Sequence, residues 1–219
     1  MHSDEKQIIE NTKSFVKKTL KNAEAGHDWF HIERVYKNSL LIASTEKCTL
    51  FVVSLAALLH DIADSKFHNG DETMGPKISK EFLTAQKVNP ETIDHVVKII
   101  ENLSYKGGQT VKTHTSKELD IVQDADRLDA MGAIGISRAF HYGGYKNRLL
   151  YDPQIKPNLS MSKEEYKNST APTINHFYEK LLLLKGLMNT ETGKKLAEQR
   201  HDYMVHFLNQ FFDEWGGKL

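Results

Sequence analysis

The sequence predicts an all-α fold, and three observations carry that expectation. Apolar residues recur at helical spacing in one segment after another. Helix-start chemistry stands where such segments begin, as in Asn89-Pro90-Glu91, where Asn caps free amides and Pro occupies the first helical position. The most apolar stretch, 50–59, contains Leu55-Ala56-Ala57-Leu58-Leu59, which favours a helix apolar on all sides over a buried strand starting at Phe51-Val52-Val53.

Taken in order, Ile8, Ile9, Phe15, Val16 and Leu20 mark a first amphipathic helix closed near Gly26. A second, over 29–44, carries Phe30, Val35, Leu40 and Ile42 and includes His31. The third, 50–62, belongs at the centre of the core because no face of it is polar. A glycine-bearing loop around Phe67-His68-Asn69-Gly70 precedes a helix over 73–87, with Pro76 in its first turn. The Asn89-Pro90 start opens a helix to about residue 103 that carries His95. Residues 104–117, with Gly107-Gly108, read as a loop before one long helix over 118–140. The stretch 141–172, with Gly143-Gly144 and three prolines, reads as an irregular cover. Helices over 173–188 and 192–215 complete the chain, with no internal repeat or heptad array.

Composition narrows the function. At 219 residues the chain suits one domain, 1–219. Lys+Arg and Asp+Glu both total 29, so no broad basic field grips nucleic acid or an anionic membrane nonspecifically. A 39% hydrophobic and 26% charged balance is that of an autonomously folding globular chain. The single Cys48 excludes an internal disulfide and every multi-cysteine metal scheme, so a bound metal must use nitrogen and oxygen ligands. The amino terminus lacks a secretory pattern and the apolar run 50–59 is too short to span a bilayer, which predicts a cytoplasmic protein with no membrane partner. An apolar face near Leu181 to Leu184 is the candidate surface for a homodimer.

The sharpest chemical feature is His60-Asp61, where the most apolar segment gives way to polar sequence. Polar groups there face a desolvation cost unless something binds them, and imidazole nitrogen with carboxylate oxygen suits a divalent transition metal. Adjacent helical residues diverge by about 100°, so further ligands must arrive from other helices. By itself the dipeptide is weak, since His27-Asp28 and His201-Asp202 occur too.

Its surroundings are specific. His27-Asp28-Trp29-Phe30-His31-Ile32-Glu33-Arg34-Val35, then Leu58-Leu59-His60-Asp61-Ile62-Ala63-Asp64, then Gln123-Asp124-Ala125-Asp126-Arg127-Leu128-Asp129-Ala130 follow in order. The pattern resembles the HD-domain superfamily of metal-dependent phosphohydrolases, in particular a small bacterial branch that includes nucleoside triphosphate pyrophosphohydrolases. The resemblance covers residues 27–140, with the helices over 173–215 expected to pack on that core. It implies an all-helical HD-domain fold, metal ligands His31, His60, Asp61 and Asp126, and one divalent ion. Manganese suits the family, with iron, nickel, cobalt, zinc or magnesium as alternatives and a second ion left open. Asp124 is the rival of Asp126; two positions apart on a helix they point apart, and the family's Asp-Arg-Leu unit favours Asp126.

Asp64 stands at the offset where the family's nucleotidases place an acid that assists the attacking water, so Asp64 is the general-base candidate beside the ligand Asp61. A helix cap is its structural alternative. His27, four residues before His31, and Arg34, three after it, can line one face toward a phosphate, with a cap and a salt bridge as their ordinary roles. Lys106 beside Gly107-Gly108, and Arg127, are further cations for the substrate's phosphates. Asp129 shares the face of Asp126 and could support it or Arg127. The Tyr142-Gly143-Gly144-Tyr145 segment could cover the site. His68, His95 and His114 lie where two-metal relatives place extra ligands, and each reads more simply as a satisfied or exposed histidine. Glu198-Gln199-Arg200-His201 is a single Glu-x-x-His unit and reads as a solvated helical face, with Arg200 at most a substrate contact. The expected activity is metal-assisted attack of water at phosphorus, turning a nucleoside triphosphate into monophosphate and pyrophosphate. A nucleotide monophosphatase, a cyclic-nucleotide phosphodiesterase, a nucleotide-sensing module without turnover, and oxygen chemistry at a di-iron site are the alternatives.

Overall fold

The computed structural model describes residues 2–21, 23, 28–63, 71, 73–103 and 113–218. Among them are ten α-helices, one 3-10 helix and no strand. The chain forms two compact units, Met1–Asp126 and Arg127–Leu219.

The first unit holds α1 (Ser3–Thr19), α2 (Trp29–Ala43), α3 (Leu50–Leu59), α4 (Met74–Ala85), α5 (Pro90–Leu103) and most of α6 (Lys117–Asp129). Every residue of α3 after Leu50 is buried, and the helix packs against α1, α2 and α5. Burying each of its large apolar side chains contributes about 1.5–3 kcal/mol, which makes α3 the post around which the others are set. Phe15 of α1 stacks on Phe82 of α4 with ring centroids 4.2 Å apart. Asp28 caps α2 by accepting the His31 N–H. The second helix thus starts where the apolar spacing placed it. The third ends at Leu59 rather than 62, with His60 as its C-cap, so His60 and Asp61 stand just beyond the helix rather than in its last turn.

The second unit corrects three expectations. The long helix over 118–140 is two helices, α6 and α7 (Gly132–Tyr145). Met131 is extended (φ −121°, ψ 164°) and Gly132 is left-handed (φ 68°), a conformation open to glycine and costly for other residues. The supposed irregular cover includes the last turn of α7 and a short helix α8 (Lys163–Asn168). Ser162 and Glu165 close a capping box at the start of α8. The helix over 173–188 is α9 (Thr173–Glu179) followed by a 3-10 helix (Leu181–Leu187), broken where Lys180 leaves helical geometry (φ −144°).

In the 3-10 helix, side chains three apart align. Leu181 and Leu184 both face the core, so they are not the exposed face expected of them, whereas Leu183 is exposed. The last helix, α10 (Glu191–Trp215), packs on α7 and on the 3-10 helix. Phe140, Phe177, Phe207 and Phe211 join these elements through a chain of ring contacts.

Candidate metal centre

Four side chains converge from three helices of the first unit. His31 comes from the first turn of α2, where the cap by Asp28 orients the backbone. His60 and Asp61 follow the last residue of α3, and Asp126 stands in the last part of α6. His31 Nε2 lies 3.3 Å from His60 Nε2, and Asp126 Oδ1 lies 3.6 Å from the first and 3.8 Å from the second. Asp61 Oδ2 is 4.0 Å from His31 Nε2. Ligand atoms of His31, His60 and Asp126 fall within 4.8 Å of one another, and among the described residues no second group of three such donors does so.

The fit to a cation can be tested on these distances. With bonds of about 2.1 Å, neighbouring ligand atoms lie about 3.0 to 3.4 Å apart, and opposite ones about 4.2 Å. The His31, His60 and Asp126 atoms, 3.3 to 3.8 Å apart, lie within or a few tenths of an ångström beyond the neighbouring-ligand range, so small side-chain shifts let these three share one ion, with Asp61 beside them 4.0 Å from His31. Proton placement agrees. His60 Nδ1 is 2.9 Å from the carbonyl of Ala57, which can only accept, so Nδ1 carries the proton and Nε2 presents its lone pair. Exposure is graded: the His31 and His60 side chains are 3% and 4% exposed, Asp61 19% and Asp126 39%, so the imidazoles form a closed floor and the carboxylates the open side. Such a set can hold one divalent ion of the manganese-to-zinc group.

The other candidates separate cleanly. Asp124 is fully buried, so the two rival carboxylates of α6 do point apart. Arg34 is half-buried on α2, one turn beyond His31. Arg127 donates to the carbonyl of Leu187, which gives it a structural partner. Asp129 is an ion-pair residue with Arg138, the ordinary one of its two readings. Arg200 belongs to no solvated face: it donates to the carbonyl of Leu128, and a Cβ at residue 132 would lie 3.1 Å from its Cγ. The neighbouring His201 has a buried Nδ1. Tyr142 and Tyr145 are exposed in the last turn of α7. His27, Asp64, His68 and Lys106, with Gly26 and the Gly107-Gly108 segment, lie outside the described residues.

Sequence reasoning missed the carbonyl of Ala57 as the group that sets the His60 tautomer. The signal was its position three residues before His60 in a helix. It also missed Glu118, a buried carboxylate at the start of α6 that accepts the N–H of Thr49.

Comparison with known proteins gives the family. The family model of the HD domain matches residues 29–131. An HD-superfamily hydrolase from Bacillus thuringiensis of known structure is 44% identical, with a TM-score of 0.79 over 98% of this chain and 100% of that one. The YpgQ protein of Bacillus subtilis (strain 168) is 38% identical over 204 residues, 92% of this chain and 90% of its own. A crystal structure of YpgQ in complex with ADP aligns with a TM-score of 0.76 at 33% identity, covering 96% of each chain.

Proposed function

The chain belongs to the HD superfamily of hydrolases, and from that premise we propose that it is a metal-dependent nucleotide phosphohydrolase that converts nucleoside triphosphates to monophosphates and pyrophosphate. The observation that carries the reading is the convergence of His31, His60 and Asp126 at spacings suited to one cation, with Asp61 beside His31. The ADP complex of the YpgQ relative supports a nucleotide as the substrate class.

In this reading His31, His60, Asp61 and Asp126 hold one divalent ion, manganese first. An ion held there would supply Lewis acidity, lowering the pKa of a bound water and polarising a phosphoryl oxygen. The chain's own groups do the rest. The Ala57 carbonyl keeps the proton of His60 on Nδ1, so that Nε2 stays a donor of electrons. Asp64, at the family's offset from His60-Asp61, takes the proton of the attacking water. Arg34, His27 and Lys106 supply positive charge to the phosphates, with Arg127 a fourth candidate beyond its bond to Leu187. Water adds at the α-phosphorus and the bond to the bridging oxygen breaks, so pyrophosphate leaves and the monophosphate remains. A single 1–219 domain completes the reading.

The test is a nucleotide panel with manganese, magnesium, nickel or cobalt, read for pyrophosphate, orthophosphate and ring-opened product, on wild type and His60→Ala. Pyrophosphate released by wild type and lost in His60→Ala is the expected result. Orthophosphate points instead to a monophosphatase, and a ring-opened product to a cyclic-nucleotide phosphodiesterase. Nucleotide-dependent stabilisation without product under every metal leaves only a sensing module.

A further inference from the structure

The ligand-bearing helices α3 and α6 meet at a second polar cluster, at the ends opposite the candidate metal centre. Glu118, in the first turn of α6, is 8% exposed. Its Oε1 accepts the backbone N–H of Thr49, the N-cap of α3, at 2.7 Å. Its Oε2 lies 3.7 Å from His95 Nε2, and the same imidazole nitrogen is 3.0 Å from Ser116 Oγ. Ser116 Oγ in turn accepts the N–H of Leu119 and so caps α6. The preceding residue adds a parallel tie, Lys117 Nζ to Glu46 at 3.4 Å. Two successive residues of α6 thus clamp the turn that enters α3.

A buried carboxylate needs compensation, and the place provides it. Glu118 sits at the start of its own helix and at the start of α3, where the positive ends of both helix dipoles favour an anion. Its charge reaches the neighbours: with burial the first cause, Glu118 and then Glu46 push the Cys48 thiol above its ordinary value.

We propose that Glu118 is a positioning residue for the metal centre, acting by tying the start of α3 to the start of α6 so that His60 and Asp126 arrive at coordinating distance. The lever arms make the tie effective. From Thr49 to His60 is about 16 Å of helix and from Glu118 to Asp126 about 12 Å, at about 1.5 Å per residue. A relative tilt of about 2° at the tied end moves the far end by about 0.5 Å, which is the tolerance of a working site. What this role requires of residue 118 is an acceptor oxygen at glutamate's reach; the charge serves burial and the His95 contact.

This inference rests on the metal reading above and is separable from it. The probe is Mn²⁺ alone, titrated calorimetrically into full-length wild type, Glu118→Gln and Glu118→Asp, each verified as folded by circular dichroism at the titration temperature. Gln keeps the reach and the acceptor but not the charge; Asp keeps the charge but is one methylene too short. The expected result is a dissociation constant within about threefold of wild type for Gln and at least tenfold weaker for Asp. His95→Gln, which leaves the Thr49 bond in place, is expected to bind as wild type. Unchanged affinity in Glu118→Asp overturns the proposal, because a purely structural cap would lower melting temperature without moving the affinity of folded protein. Equal weakening in both Glu118 variants also overturns it, since charge rather than reach would then be responsible. Wild type that takes up no Mn²⁺ overturns the metal reading and this inference with it.

Discussion

His176 gives the second unit a stability that depends on pH. It lies in α9, with its Nδ1 3.5 Å from the Tyr166 hydroxyl, and burial first, then the charges of Lys180 and Arg148, hold its pKa down to about 3 from the ordinary 6.5. Between those values the unfolded chain binds a proton that the folded one refuses. Stability is therefore fully present above pH 6.5 and is lost as pH falls toward 3. At pH 5 the folded imidazole is still neutral, so the loss is set by the unfolded side alone: protonation there favours unfolding by about 2 kcal/mol relative to pH 8. For a chain of this size that is a fall of about 4–8 °C in melting temperature. The assay is urea denaturation of wild type and His176→Gln at pH 8 and pH 5. Gln can still bond to Tyr166 and does not titrate, and only the difference between the two pH values is compared, so its absolute stability does not enter. The wild-type loss should exceed the variant's by about 2 kcal/mol. Equal losses in the two proteins would refute the reasoning.

Gly143→Ala places a Cβ against the Thr173 side chain where α7 meets α9, and overpacking of that kind costs about 1–3 kcal/mol, read as a lower urea midpoint at unchanged slope. Asp129→Asn removes the carboxylate that faces Arg138 while leaving the cation; because Asp129 is buried the expected cost is about 1–3 kcal/mol, measured in the same way. Mn²⁺ at about one hundred times its dissociation constant should stabilise wild type by about 2.7 kcal/mol, a rise of about 5–10 °C that a chelator reverses. Thermal melts of His60→Ala should show no such rise; a persisting one would place the ion elsewhere.

What was legible in the sequence follows from how local its cause is. α2, α3 and α5 announce themselves through apolar spacing and start chemistry that act within one or two turns, and their observed bounds fall within a few residues of expectation. The candidate metal donors stand out because three motif strings in order resemble a family, whereas spacing alone left Asp124 and Asp126 as rivals; of the four candidates, His31, His60 and Asp126 come together within 4.8 Å. The break at Met131-Gly132 was not legible. Apolar periodicity runs through it, and the stem of Arg200 that crowds Gly132 comes from sixty-eight positions away in sequence. Arg200 itself looked like a surface residue, since a sequence holds no record of which carbonyl a distant guanidinium will reach. Leu181 and Leu184 misled for another reason: at 3-10 rather than α spacing, the same residues align on the buried side.

Charge sets a limit on what the proposed metal ligands could do for a substrate. In the proposed set, two imidazoles bound through their lone pairs and two carboxylates would contribute two negative charges, cancelling those of a divalent ion. The end of α3 adds a little more negative potential, because His60 is its C-cap and the negative end of the helix dipole points toward the site. Both effects favour retention of the cation. Neither attracts a nucleotide with several negative charges, and the chain's equal totals of 29 basic and 29 acidic residues supply no general field to compensate. In the proposed function, affinity for phosphate therefore has to come from individual cations, among them Arg34, one turn beyond His31 on α2. The proposed function thus gives metal retention and substrate capture to different residues: on that reading a substitution at Arg34 changes nucleotide affinity and leaves metal affinity in place, while one at His60 changes metal affinity.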